Sequence, residues 1–273
     1  MGRLSLALRT GMLSLAVIAS SLAIVPFAAA PASALSQVVV PPRSPSGWAY
    51  DMVRADEAQA LGVTGRGIRV AILDNGIDPR ATGITGKVVA SFDAVNSANG
   101  QQEHGTATAG IVAAATNLEA GIGGIAPDVE ILNVKVCTLS NCRTEAMIPG
   151  LRWAIDNGAD IISMSIGGAG VDGAVAALIQ DAVDAGIVVV AAAGNRSDKS
   201  SRPSAPATIP GVVSVGGVTK LKEPAEASAA GLGVAISAPA EDLLGAYPGE
   251  GYRVWDGSSA AAPLVEYAVP AEL

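Results

Sequence analysis

Short runs of Val, Ile, Leu and Ala alternate along this chain with segments of helical period, and this alternation restricts the folds available to it. Runs of about four to eight residues with few polar interruptions are typical of strands buried on both faces, as in parallel sheets. The predicted strands are residues 68–73, 129–136, 160–164, 187–193 and 212–215, and the predicted helices are residues 105–115, 144–157 and 172–185. The pattern predicts an α/β fold with a parallel, twisted sheet and helices on both faces. Pro149 indicates a kink or a late start in the second helix.

The composition excludes several classes of protein. Half of the 273 residues are apolar but only 3% are aromatic, so the core must be built from small aliphatic side chains. The length suffices for one substantial core and is too short for two large domains. The net charge of −8 argues against nucleic acid as a partner, and no basic stripe for anionic membranes is present.

Residues 1–34 have the pattern of a secretory signal peptide. Arg3 and Arg9 precede an apolar run over residues 11–25, and small residues follow up to Ala34. We expect cleavage after Ala34, a linker over residues 35–46, and a secreted protein without a stable membrane span. An uncleaved membrane anchor is the alternative, because the apolar run is barely long enough to cross a bilayer.

The two cysteines have four residues between them and lie in a predicted loop. Export to an oxidising compartment favours a disulfide between Cys137 and Cys142, and free thiols are the alternative. Two cysteines and one distant histidine are a poor pattern for zinc. We therefore expect a local disulfide and assign no metal ligands.

Residue types that acyl transfer requires recur next to the predicted strands and helices. Asp74 directly follows the first strand, and His104, the only histidine, opens a helix of small residues. Asn195 follows a later strand, and Ser259 begins a short final helix. Because parallel strands end at one edge of a sheet, we expect these residues to converge there. An imidazole can take the serine proton, a carboxylate can orient the imidazole, and an amide can stabilise an oxyanion.

Each of these residues taken alone also has a structural interpretation. Asp74 could form a turn, Asn195 could adopt a left-handed conformation, and Ser259 could cap a helix. It is the ordered set that argues for catalysis. The other nearby acids are expected to have solvated or local structural roles; they are Asp78, Asp93 and Glu103.

The segments that carry these residues resemble the signature motifs of subtilisin-like serine proteases (subtilases, peptidase S8). The matching segments are residues 70–76, 104–106, 163–168, 193–195 and 257–263. The order Asp, His, Asn, Ser is that of the family. The resemblance extends over roughly residues 48–265.

The resemblance implies a role for each matching residue. Ser259 would be the nucleophile, His104 the general base and acid, Asp74 the carboxylate that orients it, and Asn195 the oxyanion donor. The residues implied to line the substrate cleft are Ser165, Ile166, Gly167, Ala193 and Gly194, with a second edge at residues 136–139.

The resemblance implies a secreted, monomeric serine endopeptidase that cuts polypeptides through an acyl-enzyme and needs no cofactor for catalysis. Many relatives carry a structural calcium ion, but residues 117–121 only loosely resemble a calcium loop, so we assign no ligands. The rival hypothesis is a catalytically impaired remnant or binding protein of the same fold. An α/β-hydrolase esterase is disfavoured because the chain has no G-x-S-x-G motif.

The chain departs from the family at both ends. Residues 35–46 leave no room for the propeptide that relatives usually carry. After Val265 the family pattern stops: Glu266 stands where a small buried residue is expected, and Pro270 would end the helix. We therefore interpret residues 47–273 as a subtilisin-like peptidase domain whose C-terminal part is missing, and expect reduced stability.

Overall fold

The computed structural model describes residues 47–96, 102–116, 123–138, 141–168, 170, 172–196, 202–249 and 251–268. The predicted signal peptide and linker lie outside these residues, as do the loosely calcium-like turn and the chain after residue 268. Every described residue belongs to one compact unit, Val38–Leu273. Within the described ranges, no helix is long and apolar enough to cross a membrane.

Seven strands form one parallel sheet, which confirms the fold predicted from the alternating pattern. They are β1 (Arg69–Asp74), β2 (Val88–Asp93), β3 (Glu130–Lys135), β6 (Ile161–Met164), β7 (Val188–Ala192), β8 (Val213–Val218) and β9 (Ile236–Pro239). Their order across the sheet is β2-β3-β1-β6-β7-β8-β9. The central strands β1, β6 and β7 are buried almost throughout, as continuous apolar runs require.

Helices cover both faces of this sheet. They are α1 (Gly47–Met52), α2 (Ala55–Ala60), α3 (Glu103–Ala113), α4 (Thr144–Asp156), α5 (Gly173–Asp184), α6 (Ser258–Ala261) and a 3₁₀ helix (Ala262–Ala268). The helices α4 and α5 pack on one face, and the others contribute to the core on the opposite face. The helix α4 begins at Thr144 and runs through Pro149, so the alternative of a late start is wrong.

The register of the central strands aligns their carboxyl ends. Ile72 of β1 pairs with Ser163 of β6, and Met164 of β6 pairs with Ala191 of β7. The segments that follow β1, β6 and β7 therefore leave the sheet side by side at one edge. Ligand sites of parallel α/β sheets form at such an edge.

Several elements were not predicted, because their sequences lack a long apolar run. The edge strand β2 alternates between half-buried and exposed residues, and β9 is exposed over its first half. A hairpin of β10 (Leu243–Ala246) and β11 (Tyr252–Trp255) packs against α3 and leads directly into α6.

A second, smaller hairpin follows β3. The strands β4 (Cys137–Thr138) and β5 (Asn141–Cys142) pair antiparallel, and a disulfide joins Cys137 to Cys142. The preceding residue, Val136, donates its backbone N–H to the carbonyl oxygen of Asp74 at 2.8 Å. The disulfide hairpin thus begins at the same sheet edge as the end of β1. Leu139, the last residue of the predicted second cleft edge, lies outside the described residues.

Glu266 is an acidic side chain inside the core. It lies on the 3₁₀ helix and is only 2% exposed. Among the described residues, neither of its carboxyl oxygens has a hydrogen-bond partner of good geometry. Burial raises the pKa of Glu266 to about 8, and the neighbouring Ser163 hydroxyl offsets only part of that rise. The expectation that a small residue would fit better here agrees with this environment.

We expect Glu266 to make the fold less stable as the pH rises. The folded state holds the carboxyl protonated up to about pH 8, whereas the unfolded chain ionises near pH 4.5. The free energy of unfolding should therefore fall between these values, by about 5 kcal/mol for a shift of this size. Denaturant unfolding of the wild type and of Glu266→Gln at pH 5, 7 and 9 measures the difference.

The Glu266→Gln variant should lose most of this slope because its amide does not titrate. Glu226→Gln, an exposed site, is the matched control and should keep the slope of the wild type. Equal slopes in the wild type and Glu266→Gln would show that the core carboxyl does not govern the pH dependence.

Candidate active site

Asp74 and His104 are joined by a short hydrogen bond at the carboxyl end of β1. Oδ2 of Asp74 lies 2.7 Å from Nδ1 of His104, and Oδ1 accepts the backbone N–H of Asn75 at 2.7 Å. The carboxylate is buried, whereas the imidazole is about one-third exposed. The charge of Asp74 raises the pKa of His104 above its usual 6.5, against the opposing effect of burial. The contact fixes the ring and leaves Nε2 as the nitrogen available for proton transfer.

Asn75 and Gly105 allow the first turn of α3 to pack closely against the end of β1. The side-chain oxygen of Asn75 accepts the backbone N–H of Gly105 at 3.0 Å and so satisfies one of the free donors of the helix. A Cβ on Gly105 would lie 2.3 Å from the carbonyl oxygen of Gly76 and 3.1 Å from Cβ of Asp74. The approach of helix to strand that brings His104 to Asp74 is therefore possible only with glycine at position 105.

Ser259 and Ser165 form a reciprocal pair of hydrogen bonds. The Ser259 hydroxyl donates to the carbonyl oxygen of Ser165 at 2.9 Å, and the Ser165 hydroxyl donates to the carbonyl oxygen of Ser259, also at 2.9 Å. A hydroxyl has one proton to donate, so in this structure the Ser259 proton is directed to the carbonyl and not to His104. The pair ties the start of α6 to the segment that follows β6.

Asn195 is oriented by the residue that precedes Ser259. Its Oδ1 accepts both the backbone N–H of Ser258 at 3.2 Å and the Ser258 hydroxyl at 3.1 Å. With the oxygen engaged, the NH₂ group of Asn195 is left free to donate elsewhere. Gly257 has φ 96°, and a Cβ there would lie 2.9 Å from Oδ1 of Asn195. The left-handed residue beside Asn195 is Gly194, with φ 100°, and not Asn195 itself.

The predicted cleft residues follow two adjacent strands. Ser165, Ile166 and Gly167 come directly after β6, and Ala193 and Gly194 come directly after β7. Gly167 is exposed and Ile166 and Gly194 are partly exposed, so these segments face solvent at the sheet edge. These two segments leave adjacent strands of the sheet and are the two walls that the resemblance implies for a substrate cleft.

Ser204 lies between these two walls and was not singled out by its sequence. A Cβ on Gly167 would lie 3.0 Å from the Ser204 hydroxyl oxygen, and a Cβ on Gly194 would lie 2.7 Å from it. The backbone N–H of Ser204 donates to the carbonyl oxygen of Ala193 at 2.9 Å. The two glycines therefore make room for a serine side chain that no motif marks.

Asp78 and Asp93, two other acids near the site, have structural partners. Asp78 accepts the backbone N–H of Arg80 at 3.0 Å and of Gly249 at 2.9 Å, and these bonds outweigh burial and lower its pKa. Asp93 forms an ion pair with Lys135 at 3.5 Å. In the part of the chain that the structure describes, no group of three or more His, Cys, Asp or Glu side chains could hold a metal ion.

Known proteins resemble this chain over most of its length. Subtilisin DY from Bacillus licheniformis is 37% identical over 224 residues, which cover 80% of this chain and 81% of that protein. The major intracellular serine protease of Bacillus subtilis (strain 168) is 34% identical, with 80% and 72% covered. Subtilisin E from the same strain is 33% identical, and this chain spans 58% of its length.

A solved structure and a family profile agree with these relatives. The crystal structure of a cold adapted subtilisin-like serine proteinase superposes with a TM-score of 0.65 at 29% identity, covering 74% of this chain and 73% of that one. The profile of the subtilase family, peptidase S8, matches residues 65–269. The chain therefore belongs to the subtilase family of serine-type endopeptidases.

Proposed function

We propose that this chain is a secreted endopeptidase that hydrolyses polypeptides through an acyl-enzyme formed on Ser259. The observation that carries the proposal is the 2.7 Å contact between the buried carboxylate of Asp74 and Nδ1 of His104. A buried carboxylate on one ring nitrogen makes the other nitrogen a stronger base, which nucleophilic catalysis by serine requires. Family membership supports the same reaction.

In the proposed first step, the Ser259 hydroxyl turns from the carbonyl of Ser165 to Nε2 of His104. His104 takes the proton while Oγ attacks the carbonyl carbon of the scissile peptide bond. The NH₂ group of Asn195 and the backbone N–H of Ser259 would donate to the oxyanion that forms. His104 then gives its proton to the leaving amine as the C–N bond breaks, and Ser259 is left esterified.

In the second half of the reaction, water replaces the amine. His104 takes a proton from this water, whose oxygen attacks the ester carbonyl through a second oxyanion held by the same donors. The C–O bond to Ser259 breaks and the serine oxygen recovers its proton from His104. The enzyme returns to its starting state with one carboxylic acid and one amine released.

The substrate is expected to bind as an extended strand. The backbone of residues 165–167 would offer hydrogen bonds to a peptide once substrate has turned the Ser259 hydroxyl away from the Ser165 carbonyl. The opposite wall, Ala193 and Gly194, has small side chains and would leave space for a sizeable apolar residue before the scissile bond. Ser204 between the walls adds one hydroxyl to this surface.

Loss of Ser259 or His104 should abolish the proposed reaction. Ser259→Ala and His104→Ala should each lower kcat by about six orders of magnitude, the scale of loss known for subtilisin, and the double variant should be no worse. Covalent labelling of the purified protein with a fluorophosphonate, followed by mass mapping, should find the adduct on Ser259.

Ser237→Ala, a change at an exposed serine on β9, is the matched control and should label at the rate of the wild type. Substantial hydrolysis by His104→Ala would contradict the proposal, since the chain has no second imidazole. A folded wild-type protein that does not label would favour the inactive remnant instead.

The pH dependence should follow the titration of His104. The ring accepts a proton only when neutral, and Asp74 raises its pKa, so kcat/KM should rise with pH through a midpoint above 6.5. In Asp74→Asn this midpoint should fall below that of the wild type, and kcat should drop by about four orders of magnitude. Because His104 is the only histidine, proton NMR of tag-free protein follows its titration directly. An unchanged midpoint in Asp74→Asn would show that the carboxylate does not tune the base.

Secretion is proposed from the signal-peptide pattern of residues 1–34. The relatives do not decide the location, because the name of one of them describes an intracellular protease. Protein recovered from the medium of an expressing bacterium should have a mass that begins at Leu35. It should contain no alkylatable thiol until it is reduced, because Cys137 and Cys142 are joined. Retention of residues 1–34 in the recovered protein would indicate an uncleaved anchor.

A further inference from the structure

Three side chains form a closed polar cluster beside the candidate active site. The Tyr247 hydroxyl donates to Oε1 of Glu103 at 2.5 Å. The guanidinium carbon of Arg253 lies 3.7 Å from the centre of the Tyr247 ring, and its Nη1 is 4.0 Å from Oε2 of Glu103. Each of the three therefore contacts both others, through a hydrogen bond, a cation–π contact and an ion pair.

The cluster joins the two elements that carry the proposed base and nucleophile. Glu103 is the first residue of α3 and directly precedes His104, while Tyr247 and Arg253 belong to the hairpin of β10 and β11. The chain runs from β11 into Ser259 within four residues. On the same hairpin, the ring of Trp255 meets the His104 ring edge-on, with 6.0 Å between centroids.

The separation of His104 and Ser259 must be held by the surrounding structure. The Ser259 hydroxyl donates to Ser165, so no bond from this hydroxyl draws the serine toward the imidazole in the resting state. The close backbone contacts between hairpin and helix lie further along α3, where Ala107 meets Gly245 and Gly110 meets Ala246. These contacts do not involve the first turn of α3, which carries His104, so other contacts must hold that turn in place.

We propose that Glu103, Tyr247 and Arg253 are positioning residues that set the distance between His104 and Ser259 by clamping the first turn of α3 to the β10–β11 hairpin. This inference rests on the proposed function of those two residues. The clamp does not touch the reacting atoms. It acts by keeping Nε2 of His104 within reach of the Ser259 hydroxyl once substrate has turned that hydroxyl away from Ser165.

The chemistry of the cluster suits a fixed geometry. The hydrogen bond to Glu103 raises the pKa of Tyr247, so the phenol stays protonated and continues to donate well into the alkaline range. Glu103 is also at the positive end of the helix dipole, where a carboxylate is favoured. Separate bonds anchor the tip of the hairpin to the loop after β1, from Gly249 to Asp78 and from Gly251 to Thr82. The hairpin is therefore a firm support to which the clamp can tie α3.

Tyr247→Phe tests the clamp, since it removes one hydroxyl and keeps the ring under Arg253. The full mature chain is titrated with fluorophosphonate, and kcat and KM for a peptide substrate are measured per active site. We expect kcat to fall about ten-fold with KM changed less than two-fold, and the rate of fluorophosphonate labelling to fall by the same factor. Tyr252→Phe, in the same hairpin but outside the cluster, is the control and should match the wild type.

A second set of variants keeps the test decisive if Tyr247→Phe folds poorly. Glu103→Ala should give the same pattern, and adding Tyr247→Phe to it should cost little more, because the two residues act through one contact. An unchanged kcat per titrated site, even with a lower melting temperature, would overturn the proposal and leave the cluster a purely structural role. A raised KM with unchanged kcat would also overturn it. Failure of the wild type to label at Ser259 would instead refute the proposed function.

Discussion

The site depends on one close contact, in which the first turn of α3 lies directly on the end of β1. Two consecutive residues of the strand end hold that turn, Asp74 through the imidazole and Asn75 through the helix backbone. The approach is close enough that a single methyl group at Gly105 would overlap the backbone of Gly76. Substitutions in this small region therefore act on the chemistry even where they leave the core intact, because they change where a helix meets a strand.

Around this contact, the structure distributes the remaining groups over separate segments and holds each by a contact of its own. Ser258 orients the Asn195 amide, Ser165 holds the start of α6, and the hairpin bears on His104 through Trp255. None of these supports lies in the same element as the group it positions. The edge of the parallel sheet brings together the segments after β1, β6 and β7, and the hairpin adds its support from α3.

The sequence predicted the parts of this molecule that have a periodic or ordered signal. Buried runs predicted the central strands to within a residue or two, and the ends of these runs predicted that the segments after β1, β6 and β7 leave the sheet at one edge. Glu103, Tyr247 and Ser204 carried no such signal, because their partners are up to 144 positions away in sequence and depend on how a short hairpin and a loop fold back. Glu103 in particular was expected to be a solvated acid or to have a local structural role. Its contacts in the structure are instead with the distant hairpin of β10 and β11.

Glu266 and His104 give stability and activity opposite dependences on pH. His104, whose pKa lies above 6.5, is a better base as the pH rises. Glu266, whose pKa is about 8, destabilises the fold as the pH rises because its carboxyl ionises inside the core. In an enzyme that uses His104 as its base, the rate of turnover limits the working pH range on the acid side. The stability of the fold limits it on the alkaline side. The amount of substrate turned over before the chain unfolds should then pass through a maximum between these two limits, and removing the core carboxyl would extend that range only toward alkali.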